Sequence, residues 1–175
     1  MAPPWGSVYT RSMTRALRPY LHAAILAVAL LAPPRCEAQT RIGLSLGGLG
    51  FVGVVAEQIW DDQSIELLVS TFAFRDASIS VVGKQYFGAS WLKPAVGAGF
   101  WYMIGGGEEG TGSALLARFP AGGDWQAAPG HHVTFEVNIA RGLWVDRPDP
   151  EDDLPISQRI IPLPAFSYPV ATGQF

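Results

Sequence analysis

Apolar and polar residues alternate strictly along residues 132–139 of the chain. Val133, Phe135 and Val137 take alternate positions, and polar residues lie between them. Because successive side chains on a β-strand point to opposite faces, this alternation predicts a strand with one apolar and one polar face. Similar segments recur from Arg41 onward and are separated by connections rich in Gly, Asp or Pro. The recurrence predicts an antiparallel β-meander.

Eight candidate strands carry this pattern, and residues that favour turns separate them. They cover residues 41–47, 51–60, 64–72, 77–86, 93–104, 113–119, 132–139 and 158–175. A strand that crosses a membrane needs about 9–11 residues, so eight strands and their turns fit within residues 39–175. We therefore expect an all-β fold, an eight-stranded antiparallel up-and-down transmembrane β-barrel. Pro162, Pro164 and Pro169 cannot donate to a ladder, so pairing of the last strand is expected to be interrupted or confined to one edge.

The connections alternate between the two ends of such a barrel. Those at 47–50, 73–76, 105–112 and 146–156 are expected outside the cell, and those at 61–63, 87–92 and 120–131 in the periplasm. The longest outer loop is acidic through Asp146, Asp149, Glu151, Asp152 and Asp153. These oxygens could bind calcium loosely, but they lack the spacing of a defined calcium loop. The sequence favours a solvated extracellular loop over a metal site.

Residues 1–38 have the features of an export signal. Three arginines before residue 19 give a basic start, and residues 21–32 form an apolar run that is broken only by His22. This run is about a dozen residues long, which is shorter than the roughly 20 that a membrane-spanning helix needs. Cleavage is expected after Ala38, although an uncleaved membrane anchor is the alternative. The remaining segment, residues 39–175, would form the barrel.

The low charge of the chain changes the interpretation of its polar face. Charged residues make up 15% of the chain, against roughly 25% in a typical soluble domain, which favours an exterior that faces lipid. The opposite, inward face would then hold the charged residues Glu57, Glu66, Lys84, Arg118 and Glu136. Enclosed charges are costly unless they are paired, and a barrel of eight strands is just wide enough for side chains to fill its interior. We expect Lys84 and Arg118 to neutralise at least two glutamates in a plug without a continuous pore, the alternative being a proton or ion path.

Aromatic residues near the strand ends also fit a membrane location. The expected girdle consists of Trp60, Tyr86, Trp91, Trp101, Tyr102 and Trp144. Amphipathic rings favour the boundary between lipid and water. The alternative is that these are ordinary core residues of a soluble barrel.

Several kinds of chemistry lack support in the sequence. His131 and His132 are adjacent on a strand and point to opposite faces, so they cannot easily bind one metal ion. They are the only histidines after residue 38, no Gly-x-Ser-x-Gly motif is present, and Cys36 lies in the predicted signal. Basic residues do not cluster as in nucleic-acid-binding proteins. We expect no metal, no cofactor, no nucleic-acid partner and no enzymatic activity, with a lipid-directed hydrolase as the enzymatic alternative.

Segments 54–67 and 93–102, together with the terminal Phe175, resemble the small bacterial outer-membrane β-barrel proteins of the OmpA/OmpX type. The resemblance implies a non-enzymatic outer-membrane protein with a structural, adhesive or stress-related surface role. It also implies membrane lipid as a partner and recognition of Phe175 by the outer-membrane assembly machinery, and it leaves any extracellular partner open. The alternative is a soluble periplasmic or secreted lipocalin-like barrel that binds a small apolar ligand, in which the apolar face would point inward.

Overall fold

A computed structural model describes residues 38–74, 76–107, 110–147 and 160–172 of the chain. Eight strands in these residues pair in chain order, each antiparallel to the next, and the last pairs with the first to close a barrel. The strands are β1 (Gln39–Gly47), β2 (Val52–Trp60), β3 (Gln63–Thr71), β4 (Asp76–Tyr86), β5 (Leu92–Gly107), β6 (Gly110–Ala128), β7 (His131–Asp146) and β8 (Ile161–Thr172). The prediction of a closed eight-stranded antiparallel barrel is confirmed. Among the described residues we find no helix with the length and apolar character needed to cross a membrane.

Side chains alternate between the outside and the inside of the barrel along each strand. On β7, Phe135 is 57% exposed while the next residue, Glu136, is 6% exposed. On β4, Ile79 and Val81 are exposed and Ser80 is buried. The period of two that predicted the strands therefore also separates an apolar outer surface from a polar lumen.

The connections between consecutive strands alternate between the two ends of the barrel. One end, here called the turn end, carries the two-residue connections β2–β3 at Asp61–Asp62 and β6–β7 at Pro129–Gly130, and the β4–β5 connection at 87–91. Asp61 and Gly130 have positive φ angles of 52° and 75°, which tight turns between antiparallel strands require. The opposite end, here called the loop end, carries the β1–β2 and β3–β4 connections and the last residues of β7.

Strand β6 is longer than the sequence pattern predicts. We expected it to end at Phe119 and to be followed by a connection at 120–131, but it continues to Ala128 and pairs with β7 throughout. The glycines in this stretch permit close strand approach, since a Cβ at Gly122 would lie 2.0 Å from the carbonyl oxygen of Phe135. Here glycine marks contact between strands and not a turn. The predicted connection at 105–112 is similarly shortened by the ends of β5 and β6.

Strand β8 closes the barrel despite its prolines. On its β1 side the register is continuous from Ala165 to Thr172. On its β7 side the paired positions jump from Ser167 to Val170 and leave Pro169 without a partner there. The expected interruption is thus found on one edge. Gly43 of β1 lies opposite Pro169, and a Cβ there would lie 2.2 Å from a β8 carbonyl oxygen, so glycine allows the close approach.

Candidate functional site: the charged interior of the barrel

Four charged side chains meet in the middle of the lumen. Glu66, Lys84, Arg118 and Glu136 come from β3, β4, β6 and β7, and we call them the central ion-pair cluster. Lys84 Nζ lies 2.5 Å from Glu66 Oε2 and also contacts Glu136 Oε1. Arg118 Nη1 lies 2.8 Å from Glu66 Oε1, and its Nη2 lies 3.4 Å from Glu136 Oε2. Each carboxylate therefore contacts both cations, and the cluster is electrically balanced.

Neutral partners complete the hydrogen bonding of Arg118. Its Nε donates to Asn138 Oδ1 at 2.7 Å, and its Nη1 donates to Ser80 Oγ at 3.0 Å. Asn138 and Ser80 are themselves fully buried. Each guanidinium nitrogen therefore has a partner, which is the condition under which a buried charge is tolerated.

The fifth residue of the predicted inward set, Glu57, lies apart from this cluster. Its Oε1 accepts hydrogen bonds from the Ser64 hydroxyl at 2.6 Å and from the Tyr86 hydroxyl. Its Oε2 lies 4.0 Å from Arg41 Nη1. The structure thus brings four of the five predicted residues together and places the fifth in a second polar region nearer the turn end.

This second region is centred on Asp124, and we call Arg41, Asp124, His132 and Thr134 the turn-end network. Arg41 Nη1 and His132 Nδ1 each lie 2.9 Å from Asp124 Oδ2, and the Thr134 hydroxyl lies 3.2 Å from Asp124 Oδ1. Sequence reasoning missed it because Asp124 fell within the predicted connection at 120–131. The alternation of side chains was a usable signal for two residues of the network. Arg41 shares the inward face of β1 with Gly43, and His132 shares the inward face of β7 with Glu136.

An apolar layer fills the lumen towards the loop end. Leu49, in the β1–β2 connection, is buried against Val55, Leu68, Trp101 and Ala140. The lumen therefore changes along the barrel. At the loop end it is mainly apolar, with the buried hydroxyls of Ser70 and Ser78 bonded to the Leu49 carbonyl. The balanced central cluster follows, and a hydrogen-bonded polar network lies at the turn end.

Two of the residues assigned to an aromatic girdle point into the barrel. Tyr86 and Trp101 are each 4% exposed, and each follows an inward residue, Lys84 or Gly99, by two positions, so strand parity directs it inward. The girdle prediction is wrong for these two residues. The others lie on the outer surface, where Trp91, Tyr102 and Trp144 are exposed and Trp60 is partly exposed.

The remaining predicted residues lie mostly outside the described part of the chain. Asp146 is exposed at the end of β7, but Asp149, Glu151, Asp152 and Asp153 are not among the described residues. The same holds for Phe175 and for residues 1–37 of the predicted signal. The adjacent histidines point to opposite faces: His132 is buried, and His131 is exposed and shares a hydrogen bond with Tyr168 at 2.8 Å. Within the described ranges, no group of three His, Cys, Asp or Glu side chains could hold a metal ion.

Comparison with protein-family models, with curated protein sequences and with solved structures gave no match for this chain. The function is therefore inferred from the distribution of its side chains. Two properties of that distribution bear on function: the chemistry of the outer surface and the degree to which the lumen is filled.

Proposed function

We propose that this protein is a non-enzymatic outer-membrane β-barrel with a structural or surface-interaction role, its interior closed by the central ion-pair cluster. Membrane lipid would surround it, the loop end would face outward with the acidic segment, and the turn end would face the periplasm. The observation that carries the proposal is an inversion of the usual arrangement: charges are enclosed, and large apolar side chains cover the outside.

The apolar outer surface continues around the whole barrel. Each strand contributes at least one large apolar side chain that is 44–61% exposed, namely Leu44, Val54, Val69, Ile79, Phe100, Phe119, Phe135 and Phe166. Soluble monomers rarely expose contiguous apolar patches larger than a few hundred Å². A closed apolar band is what the lipid-facing side of a transmembrane barrel requires.

The buried charges support the same interpretation. Among the described residues, seven of the Asp, Glu, Lys and Arg side chains are buried in the barrel. Such residues are almost never fully buried in soluble proteins unless they are paired, whereas the lumen of outer-membrane barrels is polar. A lipocalin-like cup for an apolar ligand would need an apolar lumen, but here the described apolar cluster fills only the loop-end layer.

The closed lumen favours a structural role over transport. The central ion-pair cluster joins side chains from β3, β4, β6 and β7 across the interior, and Arg118 and its hydrogen-bond partner Asn138 are almost completely buried. The interior of an eight-stranded barrel is narrow enough for side chains to fill it, and at the level of the central cluster they do. Passage of a solute would require these paired charges to separate.

Cell fractionation with a heat-modifiability gel tests the proposal. We expect a processed protein in the outer-membrane fraction that migrates faster before boiling than after it, because a folded membrane barrel stays compact in detergent. Recovery in the soluble periplasm, with a single gel mobility and a bound apolar ligand, would support the lipocalin-like alternative and contradict the membrane proposal.

A further inference from the structure

A polar pocket opens into the lumen at the turn end, next to the turn-end network. Its volume is about 220 Å³, and its lining includes Gln39, Arg41, Lys93, Asp124, Gln126 and His132. Pockets for drug-sized molecules are usually larger, about 300–1,000 Å³. The size therefore suits a small polar group.

Arg41 lines this pocket, and its guanidinium carries an unused hydrogen-bond donor. The residue is 7% exposed, and its Nη1 and Nη2 are bonded to Asp124 Oδ2 at 2.9 Å and to Gln39 Oε1 at 3.3 Å. Its Nε is buried and has no hydrogen-bond partner among the described residues. A buried donor without a partner is unfavourable, so the protein alone does not fully satisfy the hydrogen bonding of the Arg41 guanidinium.

Lys93 provides a second cation, from the side of the barrel opposite Arg41. It lies on the inward face of β5 and pairs with Asp124 of β6 in the register, yet within the described ranges its ammonium group has no hydrogen bond or ion pair. Asp124 is already occupied by Arg41, His132 and Thr134. The Lys93 ammonium is therefore available to an anion from outside the chain.

We propose that this pocket binds a phosphate group, with the Arg41 guanidinium and Lys93 Nζ as the principal donors. Strands β1 and β5 are four strands apart in the closed order, so the two donors approach a ligand from opposite sides. A tetrahedral phosphate offers acceptors in several directions, while a metal cation would be repelled by both side chains.

The phosphate could belong to a free ion or to a phospholipid headgroup. Trp91, which lines the pocket and is 67% exposed, makes an edge-to-face contact with the exposed Trp125, with ring centroids 6.3 Å apart. Such a pair could also contact an acyl chain. The lipid source rests on the proposed membrane function, whereas binding of free phosphate does not.

The test is a calorimetric titration of the purified, folded full chain with inorganic phosphate and, separately, with dihexanoylphosphatidic acid. Replacing Lys93→Gln removes a charge-assisted donor and should weaken binding about tenfold or more. Arg141→Gln is the matched control, because it removes a cation from an exposed β7 position towards the loop end. The control should bind both probes as the unmodified protein does.

The two probes distinguish a site for free phosphate from a site for a phospholipid headgroup. Equal affinity for both indicates a site for free phosphate, and tighter binding of the lipid that is lost in Trp91→Ala indicates a headgroup site. The proposal is overturned if neither probe saturates the unmodified protein, or if Lys93→Gln and Arg141→Gln bind equally. Because the titration with inorganic phosphate needs no membrane, a protein found to be soluble would leave this test intact.

Discussion

The middle of the barrel and its turn end are both charged inside, but their charges are satisfied to different degrees. In the middle, the two carboxylates and two cations of the central ion-pair cluster contact one another, and Arg118 is fully hydrogen-bonded. At the turn end, Arg41 keeps an unpartnered Nε among the described residues, and an open pocket lies beside it. A fully paired buried cluster can only hold the fold, whereas an incompletely paired one next to a cavity can also hold a ligand.

The largest effect is expected from Arg118→Leu in the middle. It leaves two buried carboxylates with Lys84 as the remaining cation of the cluster, and breaking a buried ion pair in this way costs about 3–5 kcal/mol. The free energy of unfolding in urea measures the loss. The double variant Arg118→Leu/Glu136→Leu restores the charge balance and should recover part of it. An Arg118→Leu protein as stable as the unmodified one would show that the cluster does not support the fold.

The outer surface should also respond differently to substitution in the middle of the barrel and at its turn end. Leu67 is the central residue of β3, and Gln63 is its first residue, on the same outward face next to the turn end. In a membrane, Leu67→Arg should cost about 2–4 kcal/mol and Gln63→Arg about 0–1 kcal/mol, because the penalty for a lipid-facing charge depends on depth. Urea unfolding in lipid vesicles measures both. Two equal, small effects would indicate that this face meets water and would oppose the membrane proposal.

Arg41→Gln should cost less than the loss of Arg118. Asp124 would keep His132 and Thr134 as hydrogen-bond partners. The main loss is the charged hydrogen bond from Arg41 to Asp124, worth roughly 1.5–3 kcal/mol, because the other Arg41 contacts, to Gln39 at 3.3 Å and to Glu57 at 4.0 Å, are longer. The same urea unfolding assay applies. A loss as large as that of Arg118→Leu would mean that the turn-end network is as structural as the central cluster, and the contrast between the two levels would disappear.

The sequence predicts the middle of the barrel better than the turn end, and the reason is physical. In the middle, unbroken alternation assigns Glu66, Lys84 and Glu136 to one face, and a lumen of eight strands is too narrow to keep them apart. Their proximity inside the barrel therefore follows from the alternation of side chains alone. Which cation meets which carboxylate depends on strand register, and alternation does not encode register directly.

At the turn end, the glycines of β6 are compatible with two different local structures. Gly122 and Gly123 suit a turn, and they also suit the close approach of two strands, so residues 120–128 were predicted as a connection and Asp124 was lost from the lumen. Tyr86 was placed in the girdle because it lies near a strand end. Parity with Lys84 would have placed it inside, where its hydroxyl reaches Glu57.

The smallest effect is expected from Lys93→Gln, and its comparison with Lys84→Gln isolates the difference between the two levels. Both lysines lie on inward faces of neighbouring strands, but Lys84 contacts two carboxylates, while Lys93 has no ion pair in the described part of the chain. Lys84→Gln should approach the loss of stability expected for Arg118→Leu, because it unbalances the same cluster.

Lys93→Gln should change the free energy of unfolding by no more than about 0.5 kcal/mol, as for a substitution that removes no contact. Added phosphate should then stabilise the unmodified protein and the Arg141→Gln control more than Lys93→Gln, because a ligand that binds only the folded state raises its stability more when it binds more tightly. If Lys93→Gln alone were strongly destabilising without phosphate, Lys93 would belong to the structural network and would not be a free donor for a ligand.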